Sequence, residues 1–324
     1  MVILDSFDRH VHAGRPSYLD VRAEVITGDV RDAAVVSRVL RGADALSHQA
    51  AIVGLGQGLE DAPRYAMVND VGTAVVLRSA RAAGVPRMVL ASSMVVYGEG
   101  AYTCESCGPQ RSVFRAERDL TAGRFDPSCP RCGSALEPRP VEESAPLDPR
   151  SLYAATKVHQ EHLAFIAMGE GGPAVTALRY HNVYGPRMPR DTVYAGVASS
   201  FRSEVAAGRP PRVFEDGGQR RDFVHVRDVA RANVLALERE EPLIGPLNVG
   251  SGAPRTILDL AAALVAATPG AHAPVVTGAY RATDVRHVFG SSEKAARELG
   301  FRAEISFISG LEEFSRAQLR EPVA

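Results

Sequence analysis

The sequence predicts an α/β fold in which a doubly wound parallel sheet carries a smaller C-terminal domain and a zinc-ribbon insertion. Short apolar runs alternate with alanine-rich helical patterns up to residue 93, and the chain becomes irregular and rich in Pro, Gly and Arg after residue 182. All 4 cysteines lie within residues 104–132. Strands that alternate with helices form parallel sheets, and clustered cysteines mark a separate small unit.

The predicted elements follow one another in chain order. Strand-like runs cover 25–29, 43–48 and 87–93, and helical patterns cover 32–40 and 69–83. Ligands bind at the carboxyl ends of the strands in such sheets. We therefore expect binding loops after Leu4, Gly28, His48 and Ala91.

The change of pattern at residue 182 predicts two domains. We expect the first over residues 1–182, interrupted by the insertion at 99–143, and the second mainly over 183–324. We expect residues 222–240 to return to the first domain. A chain of 324 residues is long enough to bury cores of this size.

Composition argues against two classes of partner. The formal net charge is -1 and the pI is about 6.8, so the chain has no general attraction for nucleic acid or anionic membranes. No apolar run reaches the ~18 residues of a membrane span, and the first residues lack a cationic segment followed by an apolar one. We expect a cytoplasmic protein with neither nucleic acid nor membrane as a partner.

Ser93, Tyr153 and Lys157 form the candidate catalytic set. Ser93 ends the run 87–93, and Tyr153 and Lys157 stand four residues apart, on one face of a helix. The ammonium can then favour the phenolate, so that a phenol of ordinary pKa near ~10 works as a base near neutral pH. A Tyr and a Lys at this spacing also occur on ordinary helix surfaces. The spacing alone therefore does not indicate a catalytic site, and the other motifs of the chain are what favour one.

The cysteines form two CxxC pairs, Cys104 with Cys107 and Cys129 with Cys132. Four thiolates at this spacing suit tetrahedral Zn²⁺ in a structural site, and they leave no open position for catalysis. The alternatives are loose thiols or a redox pair. The insertion lies between the strand with Ser93 and the helix with Tyr153, so we expect a flap at the rim of the pocket. The sequence leaves open whether this flap selects substrates or is purely structural.

Ordered motifs at 5–8, 28–32, 48–51, 69–73, 178–187, 221–228 and 281–284 accompany the catalytic set. With it they resemble the extended short-chain dehydrogenase/reductase family, and within it the NAD-dependent nucleotide-sugar epimerases and dehydratases, over nearly the whole chain. The resemblance implies a Rossmann-type NAD-binding domain and a C-terminal domain for the sugar nucleotide. It implies cofactor contacts from Asp5, Asp29, Val30, Ala50, Ala51, Asn69, Tyr153, Lys157 and Tyr180, and substrate contacts from Ser93, Asn182, Arg221, Arg281 and Phe214.

The resemblance also implies a first strand and a GxxGxxG turn before residue 1, which this sequence does not contain. That turn normally binds the cofactor pyrophosphate, and its strand sits in the middle of the sheet. We expect a longer protein in which this unit is present, because two strand edges would otherwise lack their partner. The alternative is a degenerate chain that folds poorly and binds no cofactor.

The implied activity is inversion at C4 of a nucleotide-diphosphate sugar through a 4-keto intermediate. The insertion favours a subgroup that acts on dTDP-6-deoxyhexoses, with UDP-hexoses next. A dehydratase would carry Asp-Glu after Ser93, where this chain has Met94 and Val95. A reductase or decarboxylase on the same fold stays open, as does a non-catalytic zinc-ribbon binding protein on a degenerate scaffold. The resemblance also implies a homodimer formed through the helices 69–83 and 153–167.

Overall fold

The computed structural model describes residues 1–9, 11–12, 14–54, 58–111, 114–190 and 196–320. Its strands are β1 Val2–Asp5, β2 Glu24–Thr27, β3 Leu46–His48, β4 Arg87–Ser93, β5 Ala101–Cys104, β6 Gly108–Arg111, β7 Glu137–Arg139, β8 Ala174–Tyr180, β9 Asn182–Tyr184, β10 Arg212–Val213, β11 Arg220–Arg221, β12 Phe223–His225, β13 Gly245–Val249, β14 Arg255–Thr256, β15 Val275–Val276 and β16 His287–Val288. Its α-helices are α1 Ala33–Val39, α2 Ala62–Tyr65, α3 Gly72–Ala83, α4 Glu117–Thr121, α5 Leu152–Gly169, α6 Val197–Ala206, α7 Val226–Glu238, α8 Ile257–Ala266, α9 Glu293–Leu299 and α10 Phe307–Arg316.

The central sheet has the order β13-β8-β4-β3, and each neighbouring pair is parallel. A second parallel pair joins β1 to β2. Within the described residues, no backbone ladder connects this pair to the central sheet. In the register of β4 and β8, Ser93 lies beside Tyr180, so both residues reach the carboxyl edge of the sheet.

Helices cover both faces of the central sheet, which makes it doubly wound. On one face, Leu77 of α3 and Ala164 of α5 pack against strand residues such as Leu90. On the other face, Ala232 of α7 packs with Leu178, and α9 joins the same apolar cluster. The central sheet thus includes β13, and α7 and α9 both pack on this face.

Local sequence explains where the early helices begin and end. Asp32 caps α1, because its carboxylate accepts from the backbone N–H groups of Ala34 and Val35. The predicted helix 69–83 is part of a longer helical run that begins at Ala62 and contains a π-helical stretch at Ala66–Val71. Gly84 ends the run in the left-handed conformation, with φ of 69°, which glycine adopts without strain.

The C-terminal half has its own core, in which α6, α8 and α10 bury Phe201, Leu260 and Phe314. The insertion has a three-stranded antiparallel sheet of order β6-β5-β7. Its own buried cluster is small and consists of Tyr102, Cys104, Cys129 and Leu136. Every helix in the described ranges is too short or too polar to cross a membrane.

Candidate active site

The structure brings Ser93, Tyr153 and Lys157 together at the carboxyl end of β4. Ser93 is the last residue of β4, and Tyr153 lies in the first turn of α5, which Ser151 caps by accepting from the backbone N–H of Ala154 at 3.1 Å. The Ser93 side chain lies close enough to Tyr153 to lower the pKa of the phenol by hydrogen bonding. Lys157 Nζ lies 5.8 Å from the centroid of the Tyr153 ring. The predicted set is therefore one spatial cluster.

Lys157 is buried, with 3% of the residue exposed. Its Nζ donates a hydrogen bond to the carbonyl of Ala91 at 2.7 Å. Burial lowers the pKa of Lys157 to about 8, and the nearby Glu161 carboxylate opposes that shift. The site thus holds an ammonium whose proton is bound more weakly than usual.

The Tyr153 pKa differs in direction from the sequence prediction. Burial raises this pKa, Tyr65 and Tyr180 raise it further, and only the hydrogen bond from Ser93 lowers it. The predicted lowering by Lys157 is not found, because the ammonium is directed at the Ala91 carbonyl and desolvation of the phenolate dominates. The phenol therefore holds its proton more tightly than an exposed tyrosine does.

A buried ion pair joins the helix of Tyr153 and Lys157 to the central sheet. Arg179 of β8 donates to both carboxylate oxygens of Glu161, at 2.9 and 2.7 Å, and both side chains are almost fully buried. Ser92 also donates to Glu161. Sequence reasoning missed this pair, although Glu161 stands four residues after Lys157 on the same helix. The pair ties α5 to β4 and β8 and so positions Lys157.

Tyr180 and Asn69 are both held by hydrogen bonds within the protein. The Tyr180 hydroxyl accepts from Asn233 Nδ2 at 2.8 Å, and burial raises its pKa. Asn69 is fully buried, and its amide accepts from the backbone N–H of Ile52 at 2.7 Å and donates to the Ile52 carbonyl at 3.0 Å. Asn69 therefore fixes the loop after β3, which contains Ala50 and Ala51, by contacts within the protein.

The predicted adenosine-binding residues lie where β1 and β2 end. Asp5 accepts from the backbone N–H of Phe7 at 2.8 Å. Asp29 forms an ion pair with Arg31 at 2.5 Å, and this contact lowers the Asp29 pKa. Val30 packs with α1 and α3 in an apolar cluster. Two carboxylates beside an apolar side chain fit a ribose and a flat base.

The predicted substrate residues lie in the C-terminal half and on β9. The buried Oδ1 of Asn182 has no hydrogen-bond partner among the described residues, so this amide is available to a polar ligand. Arg221 donates to the carbonyls of Val285 at 2.7 Å and Arg286 at 2.9 Å. The Arg281 guanidinium carbon lies 5.3 Å from the centroid of the Phe214 ring. Arg281 and Phe214 thus form a stacked pair that suits a base and its phosphates.

The four cysteine sulfurs lie within 4.8 Å of one another. A tetrahedral Zn²⁺ with Zn–S bonds of about 2.3 Å would hold sulfurs about 3.8 Å apart. Cys104 and Cys132 Sγ are already separated by only 3.5 Å. The donor set therefore fits one zinc ion held by four thiolates.

The model of the NAD dependent epimerase/dehydratase family matches residues 2–117 and 128–250. The chain is 33% identical over 318 residues to dTDP-L-rhamnose 4-epimerase of Burkholderia thailandensis, covering 96% of this chain and 86% of that protein. It is 26% identical over 314 residues to a putative UDP-glucose 4-epimerase of Methanocaldococcus jannaschii, covering 96% and 88%.

Solved structures share the architecture. UDP-glucose 4-epimerase of Thermotoga maritima with UDP-glucose has a TM-score of 0.76 at 27% identity, covering 97% of this chain and 89% of that one. The dTDP-glucose 4,6-dehydratase of Streptomyces venezuelae with NAD bound has a TM-score of 0.75 at 27% identity, covering 97% and 86%. The predicted α/β fold class is confirmed.

Proposed function

Because this chain belongs to the NAD-dependent epimerase/dehydratase family, we propose that it inverts C4 of a nucleotide-diphosphate sugar through a transient 4-keto sugar. We favour a dTDP-6-deoxyhexose as the substrate, with a UDP-hexose next, since a dTDP-L-rhamnose 4-epimerase is a relative at 33% identity. The observation that carries the proposal is the cluster of Ser93, Tyr153 and Lys157 at the carboxyl end of β4.

The residues after Ser93 favour an epimerase over a dehydratase. Elimination of water from C5 and C6 needs an acid and a base beside the sugar. Met94 is 8% exposed and packs in an apolar cluster with Val96 and Tyr97, and Val95 also has no ionisable group. The two positions directly after Ser93 therefore offer no acid or base for the elimination.

In the proposed reaction, Tyr153 takes the proton from the sugar O4 and later returns it. Ser93 would orient that oxygen, because its side chain lies close enough to Tyr153 to lower the pKa of the phenol. The Lys157 ammonium would favour the phenolate after turning from the Ala91 carbonyl toward the phenol oxygen. NAD⁺, when bound, supplies the reversible hydride acceptor for C4. We assign its nicotinamide ribose to Tyr153, Lys157 and Tyr180, its adenosine to Asp5, Asp29 and Val30, and its pyrophosphate to the loop with Ala50 and Ala51, which Asn69 holds.

We assign the substrate diphosphate to Asn182, Arg221 and Arg281, and the base to Phe214. Charge-assisted hydrogen bonds would tether the nucleotide while the keto sugar turns over in the pocket. The stacked Arg281 and Phe214 support this assignment, and Asn182 would bind a phosphate oxygen through its Nδ2 donor.

We further propose a homodimer formed through α3 and α5. Met67 and Val71 of the π-helical stretch before α3 are 46% and 41% exposed, and Ile166 of α5 is 65% exposed. Apolar side chains at such exposure favour a helix-to-helix contact between two copies.

The proposed function is tested by incubating the protein with NAD⁺ and, separately, with dTDP-6-deoxyhexoses and UDP-hexoses. We expect proton NMR to show conversion to a mixture of the two C4 epimers without net NADH. A 4-keto-6-deoxy product would show a dehydratase, and net oxidation of added NADH would show a reductase. A protein that binds zinc yet converts none of these sugars would support the non-catalytic binding protein.

We also propose that the four cysteines hold one structural zinc ion. Cys129 is 3% exposed, so Cys129→Ser should reduce the zinc content per chain at least about 10-fold and lower the Tm of the protein. Elemental analysis and a thermal melt measure both effects. Ser106→Ala, at an exposed position between Cys104 and Cys107, is the control and should keep the metal. Purification with two disulfides and no zinc would contradict the proposal.

A further inference from the structure

The insertion is joined to the C-terminal half by a buried arginine. The Arg115 side chain is 3% exposed, and its Nη1 forms an ion pair at 2.8 Å with Glu215 Oε1, whose side chain is 1% exposed. Its Nη2 donates to the carbonyl of Asp284 at 2.7 Å. One side chain of the insertion therefore holds two separate segments of the C-terminal half.

A second connection runs through Asp126, also in the insertion. Its Oδ1 accepts from Arg286 Nε at 2.8 Å and lies 3.0 Å from His287 Nε2. The Arg286 side chain is 2% exposed, and its Nη1 also donates to Glu215 at 2.8 Å and Asp216 at 2.7 Å. Arg115 and Arg286 thus share the Glu215 carboxylate, and Asp126 completes the network from the side of the insertion.

This network lies directly beside the residues proposed to bind the nucleotide sugar. Phe214 precedes Glu215 in the chain, and Arg281 stacks on Phe214. Arg221 is held by the carbonyls of Val285 and Arg286. The segments that place Phe214, Arg281 and Arg221 are therefore the segments that Arg115 and Asp126 contact.

The backbone conformation of Glu215 depends on its ion pairs with Arg115 and Arg286. Its φ is +52°, in the left-handed region that residues other than glycine rarely adopt. Such a conformation persists only where the surroundings over-determine it. Here the ion pairs from Arg115 and Arg286 hold the carboxylate, and the Glu215 N–H donates to the Ala279 carbonyl at 2.7 Å. Loss of Arg115 would relax the backbone that directs Phe214.

Arg115 and Asp126 lie in the segment that the four cysteines enclose. Both residues fall between the two cysteine pairs, and Asp126 is three residues from Cys129. The small buried cluster of the insertion includes two of the cysteines themselves, so a bound ion would supply much of its stability. Without the ion, the two cysteine pairs would no longer hold the ends of the segment between them together. The contacts of Arg115 and Asp126 with the C-terminal half would then be lost.

We propose that a metal ion at the four cysteines and a nucleotide sugar at Arg221, Arg281 and Phe214 strengthen each other's binding, with Arg115 and Asp126 as the positioning residues. This inference rests on the proposed function, because it takes these three residues as the nucleotide-sugar site. The coupling is reciprocal: nucleotide must slow the loss of metal by the same linkage through which metal tightens nucleotide binding.

The first test measures dTDP and UDP binding by calorimetry for the zinc-loaded protein and for protein stripped by a chelator, with a thermal melt to show that both are folded. We expect the stripped protein to bind the preferred nucleotide about 10-fold more weakly, within the range of typical coupling. In the reverse direction, saturating nucleotide should slow zinc transfer to a chelator dye about 5-fold or more. Equal nucleotide affinity with and without zinc would overturn the inference.

The second test leaves all four cysteines in place. Arg115→Met and Asp126→Asn should keep one zinc per chain and still bind the nucleotide at least about 5-fold more weakly. Arg124→Met and Asp119→Asn are matched controls, because these two exposed residues pair with each other inside the insertion, and both should bind nucleotide normally. An equal loss in the controls, or none in the test variants, would overturn the inference. If the unmodified protein binds neither nucleotide, the proposed function fails together with this inference. If it binds a nucleotide with the same affinity in the presence and absence of zinc, only the inference fails.

Discussion

Tyr153→Phe should lower turnover of the nucleotide sugar by about 10³-fold, in line with the loss of a general acid-base group. The substitution removes the phenol oxygen and leaves the ring in its half-buried position. The groups assigned to the diphosphate lie elsewhere, so the Kd for dTDP or UDP should change by less than about 3-fold. Steady-state kinetics and calorimetry separate the two quantities.

Tyr184→Phe is the matched control for this prediction. Tyr184 is buried at 2% exposure in the core of the C-terminal half, and among the described residues its hydroxyl donates only a long hydrogen bond of 3.4 Å, to the Phe307 carbonyl. Its removal should change turnover less than about 2-fold. Tyr153→Phe with near-normal turnover would show that another group moves the O4 proton.

Lys157→Met should abolish most activity and yet stabilise the fold. Burial shifts the Lys157 pKa from 10.5 to about 8, which corresponds to about 3 kcal/mol of cost to the native state when the ammonium is charged. The variant removes that cost and loses the hydrogen bond to Ala91, worth about 1 kcal/mol. We expect a net gain of about 2 kcal/mol in the free energy of unfolding at pH 7 and a turnover loss of about 10²-fold.

The pH dependence of this gain follows from the lowered pKa. Below pH 8 both the folded and the unfolded chain hold the Lys157 proton, so the full cost is present. Between pH 8 and 10.5 the unfolded chain holds more of the proton, so the wild-type protein gains stability relative to Lys157→Met. Denaturant unfolding at pH 7 and pH 10 measures the change, and a gain that is the same at both pH values would contradict the account.

Lys294→Met provides the control for the second prediction. Lys294 is half-buried, and its Nζ likewise donates to a backbone carbonyl, that of Pro246 at 2.9 Å. It lies on α9, away from the catalytic cluster. The variant should lose about 1 kcal/mol of stability and keep its activity.

The sequence predicted those parts of the site that depend on short spacings. Tyr153 and Lys157 are one helical turn apart, and Ser93 ends a strand whose length is readable from its apolar pattern. The two CxxC pairs likewise indicate a metal site by spacing alone, and the structure gathers the sulfurs. These features depend on the periodicity of helices and strands and on the chemistry of nearby residues, and both can be read from a single sequence.

Contacts between distant segments could not be predicted in this way. Glu161 pairs with Arg179, and Arg115 pairs with Glu215, 100 positions later in the chain. Spacing carries no signal for such pairs, because the tertiary fold brings them together. The direction of the Tyr153 pKa was mispredicted for the same reason: desolvation depends on all the elements that bury the phenol, whereas the sequence showed only the neighbouring lysine.

The most direct test of the account follows a deuterium atom at C4 of the nucleotide sugar that the protein converts. The labelled sugar is incubated with the protein and NAD⁺ in ordinary water, and the product is examined by NMR and mass spectrometry. Inversion with the deuterium retained at C4 is the predicted result, because the hydride leaves and returns without meeting solvent. Inversion with loss of the deuterium to water would show proton abstraction at C4 and would contradict the hydride mechanism built on Ser93, Tyr153 and Lys157.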